Sequence, residues 1–332
     1  MTIKNARKLA SAALVSEDAA FFLQELSENV KTSLNTHDFN SFVPSTSPVL
    51  DVDCILCFVL QKNKTYLLLN QNEELTSQCE LNFANAIFLR RTGLPVAYIT
   101  GHKEFFGYDF IVSPDVLIPK PDTEILVEKA IDYIKEKVFA TPNKILTICD
   151  MCTGSGCIGL SVLKNLIEEK LIPQNRIPKF VLVDISSKAL EIAIKNYENL
   201  IPKEYSQRVQ FVQSNLFSNV TGTFDVILTN PPYISATLVT DLLKDGRNEP
   251  TLALNGDITE TGDASNSDDG LEIIRRLVPQ AFEKLIYNGI LLMETGEYNA
   301  EDTSELEKSI GFRNICIHKD LSGQLRVVEG IK

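Results

Sequence analysis

The sequence predicts an α/β fold: a doubly wound, mostly parallel seven-stranded sheet, preceded by a small N-terminal helical domain and a linking β-hairpin. Three observations predict it. Strand-like apolar runs alternate with helix-like stretches from Thr123 onward. The first part of the chain carries helical spacing alone. Between the two, residues 98–112 are dense in aromatics, β-branched residues and glycines. The expected division is residues 1–90, helical, residues 91–115, the linker and hairpin, and residues 116–332, the sheet domain.

In the helical part, Phe22, Leu26, Val30 and Leu34 recur at spacing four and mark one helix stripe. Ser16, just before Glu17 and Asp18, reads as its N-cap with acidic residues in the first turn. Residues 41–48, rich in Ser and Pro, read as a loop. Helical patterns follow over 50–61 and 77–91, and Gly93-Leu94-Pro95 breaks the chain. Residues 98–112 predict a short hairpin. Val127, Ile131, Ile134 and Val138 then mark a helix started by Pro121. Strands are predicted at 145–149, 180–183, 210–213, 224–228 and 290–293, with helices over 157–170 and 187–200. Alternation of this kind means a parallel, doubly wound sheet. Two tail strands, 314–318 and 325–329, are placed as an antiparallel edge. Residues 255–269, rich in acids, Ser and Thr, do not match a calcium-loop spacing and read as a mobile solvated loop.

Bulk properties narrow the function. At 332 residues and 44% apolar, the chain can build two cores. Lys+Arg 32 against Asp+Glu 44 leaves a net charge of −12, which disfavours a nucleic-acid substrate. No apolar run is long enough to span a bilayer, and the start lacks a signal-peptide pattern, so a cytoplasmic protein is expected. Its seven cysteines, an odd number, fit reduced thiols. Cys54 and Cys57 lie in an apolar run and are expected to be buried. Cys149, Cys152 and Cys157 flank a glycine loop. His37, His102 and His318 are scattered, and no metal is expected.

Two stretches carry chemistry. Asp150-Met151-Cys152-Thr153-Gly154-Ser155-Gly156 follows the first sheet strand, where glycines let the backbone turn sharply and approach a ligand. Read literally, Gly154-x-Gly156-x-x-Gly159 with Asp184 after the next strand is a dinucleotide pattern, and a nicotinamide enzyme competes on that pair alone. Asn230-Pro231-Pro232-Tyr233 follows the fourth strand. Each proline fixes its own φ and extends its predecessor. A stiff loop bearing one amide and one ring suits a planar, N–H-bearing group, for which hydride transfer has no evident use. Asp150, Asp184, Asn215 and Asn230 all fall at the carboxyl ends of strands, where such sheets gather ligands.

These residues resemble a class I S-adenosylmethionine-dependent methyltransferase acting on a planar nitrogen. The likeness narrows through Arg90-Arg91-x-Gly93-x-Pro95-x-Ala97-Tyr98-Ile99-x-Gly101, Glu104-Phe105-Phe106-Gly107 and Leu117-Ile118-Pro119-Lys120-Pro121-Asp122-Thr123-Glu124. Glu249-Pro250-x-Leu252-Ala253-Leu254, Asp269-Gly270-Leu271 and Asp320-Leu321-x-Gly323 extend it. Over residues 85–330 the chain is similar to the protein-glutamine N5-methyltransferases of peptide chain release factors (the PrmC/HemK family). Over the first 80 residues only helical character matches.

The resemblance implies S-adenosylmethionine as cofactor and release factors as protein substrate, with no direct nucleic acid, no membrane, and a monomer expected. It places Asp150, Cys152, Thr153, Gly154, Ser155, Gly156, Asp184, Asn215, Leu216 and Asn230 around the cofactor. Asn230, Pro231 and Tyr233 become the catalytic group. Pro232, Phe106 and Pro119 join them around the substrate. Three departures stand out: Lys120 where the family usually has arginine, Asn215 where Asp is common, and a longer acidic stretch at 255–269. The competing readings are a ribosomal-protein glutamine methyltransferase, an adenine-N6 methyltransferase, and a non-catalytic cofactor-binding protein.

Overall fold

The computed structural model describes residues 1–34, 42–245 and 248–332. His37 and Ser41 lie outside the described residues. The chain forms two compact units, Met1–Gly101 with Asp241–Asn248, and His102–Thr240 with Glu249–Lys332.

The first unit is helical. Its opening helix, Ile3–Ala13, is capped by the Thr2 hydroxyl, which accepts the Asn5 N–H. Phe22, Leu26, Val30 and Leu34 are all buried, as their spacing predicts. They do not share one helix, however. Ala20–Glu25 and Glu28–Ser33 are separate, with Leu26 extended between them. Glu80 from the helix Ser77–Arg91 takes the Ser27 N–H at 2.8 Å, so the break is held by tertiary contact. Ser16 is not a cap: Asp18 accepts the Ala20 N–H, while the Ser16 carbonyl accepts from the buried Arg91 guanidinium. Cys54 is exposed and Cys57 half-buried, against the expectation from their apolar run. On the helix Pro48–Leu60 the inward face belongs to Val52, Asp53, Ile55 and Leu56. Asp53 is neutralised there by Arg7.

The second unit begins with the hairpin β1 (His102–Phe105) and β2 (Tyr108–Ile111). Phe106 and Gly107 turn it with φ of 52° and 77°, the positive pair a tight hairpin demands. Tyr98 to Thr100, read as part of the hairpin, instead close a short helix, Val96–Thr100. The main sheet holds β3 (Thr147–Met151), β4 (Lys179–Asp184), β5 (Val209–Gln213), β6 (Phe224–Thr229), β7 (Leu285–Glu294), β8 (Arg313–Lys319) and β9 (Leu325–Ile331), in the order β5-β4-β3-β6-β7-β9-β8. The first five run parallel, and β9 pairs antiparallel with both β7 and β8. β6 is buried at every position, the mark of a parallel strand covered on both faces. Val127, Ile131, Ile134 and Val138 are buried on the helix Glu124–Ala140, and the helices Cys157–Glu168 and Ser187–Leu200 fall where expected, the former ending two residues early. β3 starts two residues later than predicted, because Ile145 is exposed. Among the described residues, no helix is long and apolar enough to cross a membrane.

Candidate active site

Sheet register decides which side chains meet. β3 lies between β4 and β6, and chain order reverses there. Ligands of open α/β sheets bind outside the carboxyl ends of strands at such a switch point. Met151 is in register with Val183 and with Thr229, and Thr229 with Met293. The residues that follow, Cys152, Asp184, Asn230 and Glu294, therefore emerge side by side along one rim.

The glycine loop is built on a buried acid. Asp150 Oδ2 accepts the Thr153 hydroxyl at 2.5 Å and the Gly159 N–H at 3.0 Å. A Cβ on Gly159 would stand 2.8 Å from that oxygen. The third glycine of the dinucleotide-like pattern thus makes room for an internal carboxylate. Burial pushes Asp150 up to about 7. Above it, Cys152, Gly154 and Gly156 turn with φ of 60°, 54° and 81°. Asn196 ties the loop to the hairpin: its Nδ2 donates to the carbonyls of Ser155 and Ile111, and its Oδ1 accepts the Ile111 N–H.

A cavity of ≈ 310 Å³ opens over this rim. Of the residues singled out in the sequence, Pro119, Cys152, Thr153, Gly154, Ser155, Asp184, Asn215, Leu216, Asn230 and Pro232 line it. Asp150, Gly156, Pro231, Tyr233 and Phe106 are not among its wall residues. Asp150 is fully buried under the loop. Gly156 faces the helix behind, where a Cβ would meet Leu160 Cδ1 at 2.8 Å. Phe106 sits in the hairpin turn, its N–H bonded to Glu124 and its ring beside Tyr108. The Tyr233 phenol turns to Glu294 Oε1 at 3.2 Å.

The wall is chemically suited to a nucleoside. Asp184 accepts the backbone N–H groups of Gly154 at 2.8 Å and Ser186 at 2.9 Å, one on each oxygen. A carboxylate has about four lone-pair directions, so two remain for a diol. Burial raises its pKa, and those backbone bonds work against the rise. Asn215 donates its Nδ2 to the Glu260 carbonyl at 3.3 Å, which leaves Oδ1 to accept an exocyclic amine. Leu216, Ile258 and Ile273 supply apolar wall for a flat base. Lys120, in the place of the expected arginine, reaches Glu249 Oε1 at 2.6 Å.

The acidic stretch 255–269 is solvent-exposed over most of 260–269, as its composition suggested, but its first residues are built into this site. Asp257 is fully buried and accepts the N–H groups of Ala236 and Gly270. Ile258, Thr259, Glu260 and Gly262 line the cavity. Its flanking glycines press on the Asn-Pro-Pro-Tyr loop. A Cβ on Gly270 (φ +74°) would fall 2.1 Å from the Tyr233 carbonyl oxygen, and one on Gly256 2.9 Å from that of Pro232. Gly270→Ala is expected to shift this loop, costing about 2 kcal/mol of stability or more and roughly 100-fold in turnover. Thermal unfolding and kcat check it, and wild-type turnover would remove the brace from the account.

Glu294 is a rim residue, outside the cavity wall, that the sequence reading did not single out. It is 1% exposed, and burial pushes it up to about 7. The signal was there: like Asp184 at the end of β4, it is an acid ending a largely apolar strand.

Two family models match the chain: one described as PrmC N-terminal domain over residues 42–101, and one described as Methyltransferase small domain over residues 133–249. The first match reaches well upstream of the residues that carried the likeness in the sequence. A protein named release factor glutamine methyltransferase from Koribacter versatilis (strain Ellin345) is 35% identical over 291 residues, 86% of this chain and 92% of that one. Proteins of the same name from Rhodopirellula baltica (strain DSM 10527) and Clostridium acetobutylicum (strain ATCC 824) are 34% and 31% identical. They cover 88% and 85% of this chain, and 92% and 90% of their own length is matched.

Proposed function

Because the chain belongs to the release factor glutamine methyltransferase family, we propose that it methylates N5, the side-chain amide nitrogen, of the glutamine in the Gly-Gly-Gln motif of peptide chain release factors. It is a methyltransferase, and S-adenosylmethionine is its methyl donor. The single observation that carries the N5 reading is Asn230, a cavity-wall amide held at the switch point by two prolines.

Bound in the cavity, S-adenosylmethionine supplies an electrophilic sulfonium methyl. Cys152 to Ser155 wrap its methionine part, Asp184 takes the ribose hydroxyls, and Asn215 and Leu216 hold the adenine. Asp150 acts from beneath, by fixing the glycine loop. The Asn230 side-chain oxygen and the Pro231 carbonyl each accept one N–H of the substrate amide. With both hydrogens fixed, the nitrogen lone pair is aimed along the line of attack. An amide nitrogen is a poor nucleophile because its lone pair is shared with the carbonyl. Alignment in attack geometry contributes about 7–11 kcal/mol in favourable cases, enough to replace prior deprotonation. Tyr233 and Pro119 flank the amide, and the extra proton leaves to solvent after transfer.

The helical unit docks the body of the release factor, so that its glutamine loop reaches the cavity. The same reading takes the enzyme as a cytoplasmic monomer that uses no nucleic-acid substrate, consistent with its net charge of −12. Mass spectrometry of a release factor incubated with enzyme and S-adenosylmethionine tests the proposal. One added methyl on the Gly-Gly-Gln peptide, located at the glutamine side chain, is expected. A methyl found elsewhere, or none, would reject it.

A further inference from the structure

Glu294 ends β7 beside the Asn-Pro-Pro-Tyr loop, and nothing in the proposed chemistry yet uses it. Its Oε1 accepts the Tyr233 phenol at 3.2 Å. The Thr123 hydroxyl also stabilises its charged form. Thr123 in turn accepts the Asn230 Nδ2 at 3.4 Å. The Asn230–Thr123 and Tyr233–Glu294 pairs are hydrogen-bonded, Glu294 Oε2 is buried with no hydrogen-bond partner among the described residues, and the Thr123 hydroxyl stands near enough to favour its charge, so the four side chains lie in one series at the cavity wall.

We propose that Glu294 is a positioning residue that, through Thr123, fixes which end of the Asn230 amide faces the cavity. The argument is one of donor and acceptor count. An ionised carboxylate only accepts. Thr123 and Tyr233 must both turn their single protons toward it. Thr123 then offers only lone pairs to Asn230, and only the NH₂ end of that amide can meet them. The Asn230 oxygen is left facing the substrate. A neutral, protonated Glu294 breaks this order: it can donate to Thr123, whose proton is then free to draw the Asn230 oxygen inward.

The relay should therefore respond to pH. Burial brings the Glu294 carboxyl into the neutral range, up to about 7. Arg326 on β9 and the Thr123 and Tyr233 hydroxyls favour its charged form, and Asp122 opposes it. Arg326 is itself shared with Asp320 at 3.1 Å and Asp122 at 3.4 Å. Cys157 lies within reach of the Glu294 charge, and Tyr298 faces Tyr233 and Arg326. Turnover is full above the Glu294 pKa and falls as pH drops through it.

The inference rests on Asn230 as the aiming acceptor, and the test separates the two. With the full chain, release factor and S-adenosylmethionine, kcat is measured against pH for wild type, Glu294→Gln, Thr123→Val, Thr123→Ser and Asn230→Ala. Glu294→Gln is expected to lower kcat at least ~10-fold at alkaline pH, with cofactor affinity within about twofold, and to abolish the step near neutrality. Its Tm should hold or rise at alkaline pH, because a buried neutral amide replaces a buried charge. Thr123→Val should reproduce the loss, and Thr123→Ser should restore turnover relative to it. An unchanged step in Glu294→Gln, or equal turnover of Thr123→Val and Thr123→Ser, overturns the relay. Should Glu294→Gln not fold, the Thr123 pair decides alone. Wild-type turnover in Asn230→Ala would instead overturn the aiming reading itself.

Discussion

Asn230→Ala is expected to lower turnover by roughly two to three orders of magnitude, as loss of a preorganised polar group in a dry site does. Affinity for S-adenosylmethionine should stay within about twofold, because the sugar and base contacts assigned to Asp184, Asn215 and Leu216 are untouched. Two losses combine. A substrate N–H is left without its acceptor, at about 1–3 kcal/mol. The nitrogen is also free to rotate off the line of attack, which forfeits part of the alignment advantage. Asn230→Asp is the sharper companion. It keeps an acceptor but cannot donate to Thr123, so it should retain more turnover than Ala and less than wild type. Single-turnover rates with saturating cofactor, beside calorimetric affinities, check both. Turnover within about threefold of wild type in Asn230→Ala would mean that another group activates the amide.

The sheet domain was legible because each buried strand ends in a residue of opposite character. Apolar runs ending at Asp150, Asp184 and Asn230 announce both strand and rim. β6, buried at every position, could not be misread. Register then did what sequence cannot: Met151, Thr229 and Met293 stand abreast, so their successors share a site. Glu294 carried a local signal, an acid closing an apolar strand, but only the register of β6 with β7 brings it beside Asn230. Periodicity failed at Leu26 for a similar reason. Its four-residue stripe reports burial correctly, yet Glu80, distant in sequence, claims the Ser27 N–H and splits the helix. Cys54 shows the reverse error: in a 13-residue helix an apolar run wraps all faces, and one of them must meet solvent.

Composition told only part of the story over 255–269, where most of 260–269 is exposed but Asp257 is not. Acids, Ser and Thr usually mean solvation, but one buried acid can organise a loop. Asp257 binds two backbone N–H groups from separate segments, Ala236 and Gly270. That network sets Gly270 against the Tyr233 carbonyl, so a largely exposed loop is anchored to the Asn-Pro-Pro-Tyr segment by its buried end. Phe106 is the other instructive displacement. Its motif placed it near substrate, whereas the hairpin turn requires its backbone at φ +52° and takes its ring to Tyr108.

Asp184→Ala is expected to weaken S-adenosylmethionine binding by about 100-fold or more, since charge-assisted hydrogen bonds contribute about 1.5–3 kcal/mol each. The carboxylate also holds the N–H groups of Gly154 and Ser186, so its removal loosens the glycine loop as well. Asp184→Asn restores shape but places an NH₂ against one of those N–H donors, and should fall between Ala and wild type. Calorimetry gives the affinities, and an affinity within about twofold of wild type in Asp184→Ala would remove the residue from the site. Direct and indirect roles part in a cycle against a cofactor analogue lacking the ribose hydroxyls. If Asp184 holds those hydroxyls, the analogue binds wild type far more weakly than the parent does, yet Asp184→Ala binds the two about equally. If Asp184 only braces the loop, loss of the hydroxyls costs both proteins the same.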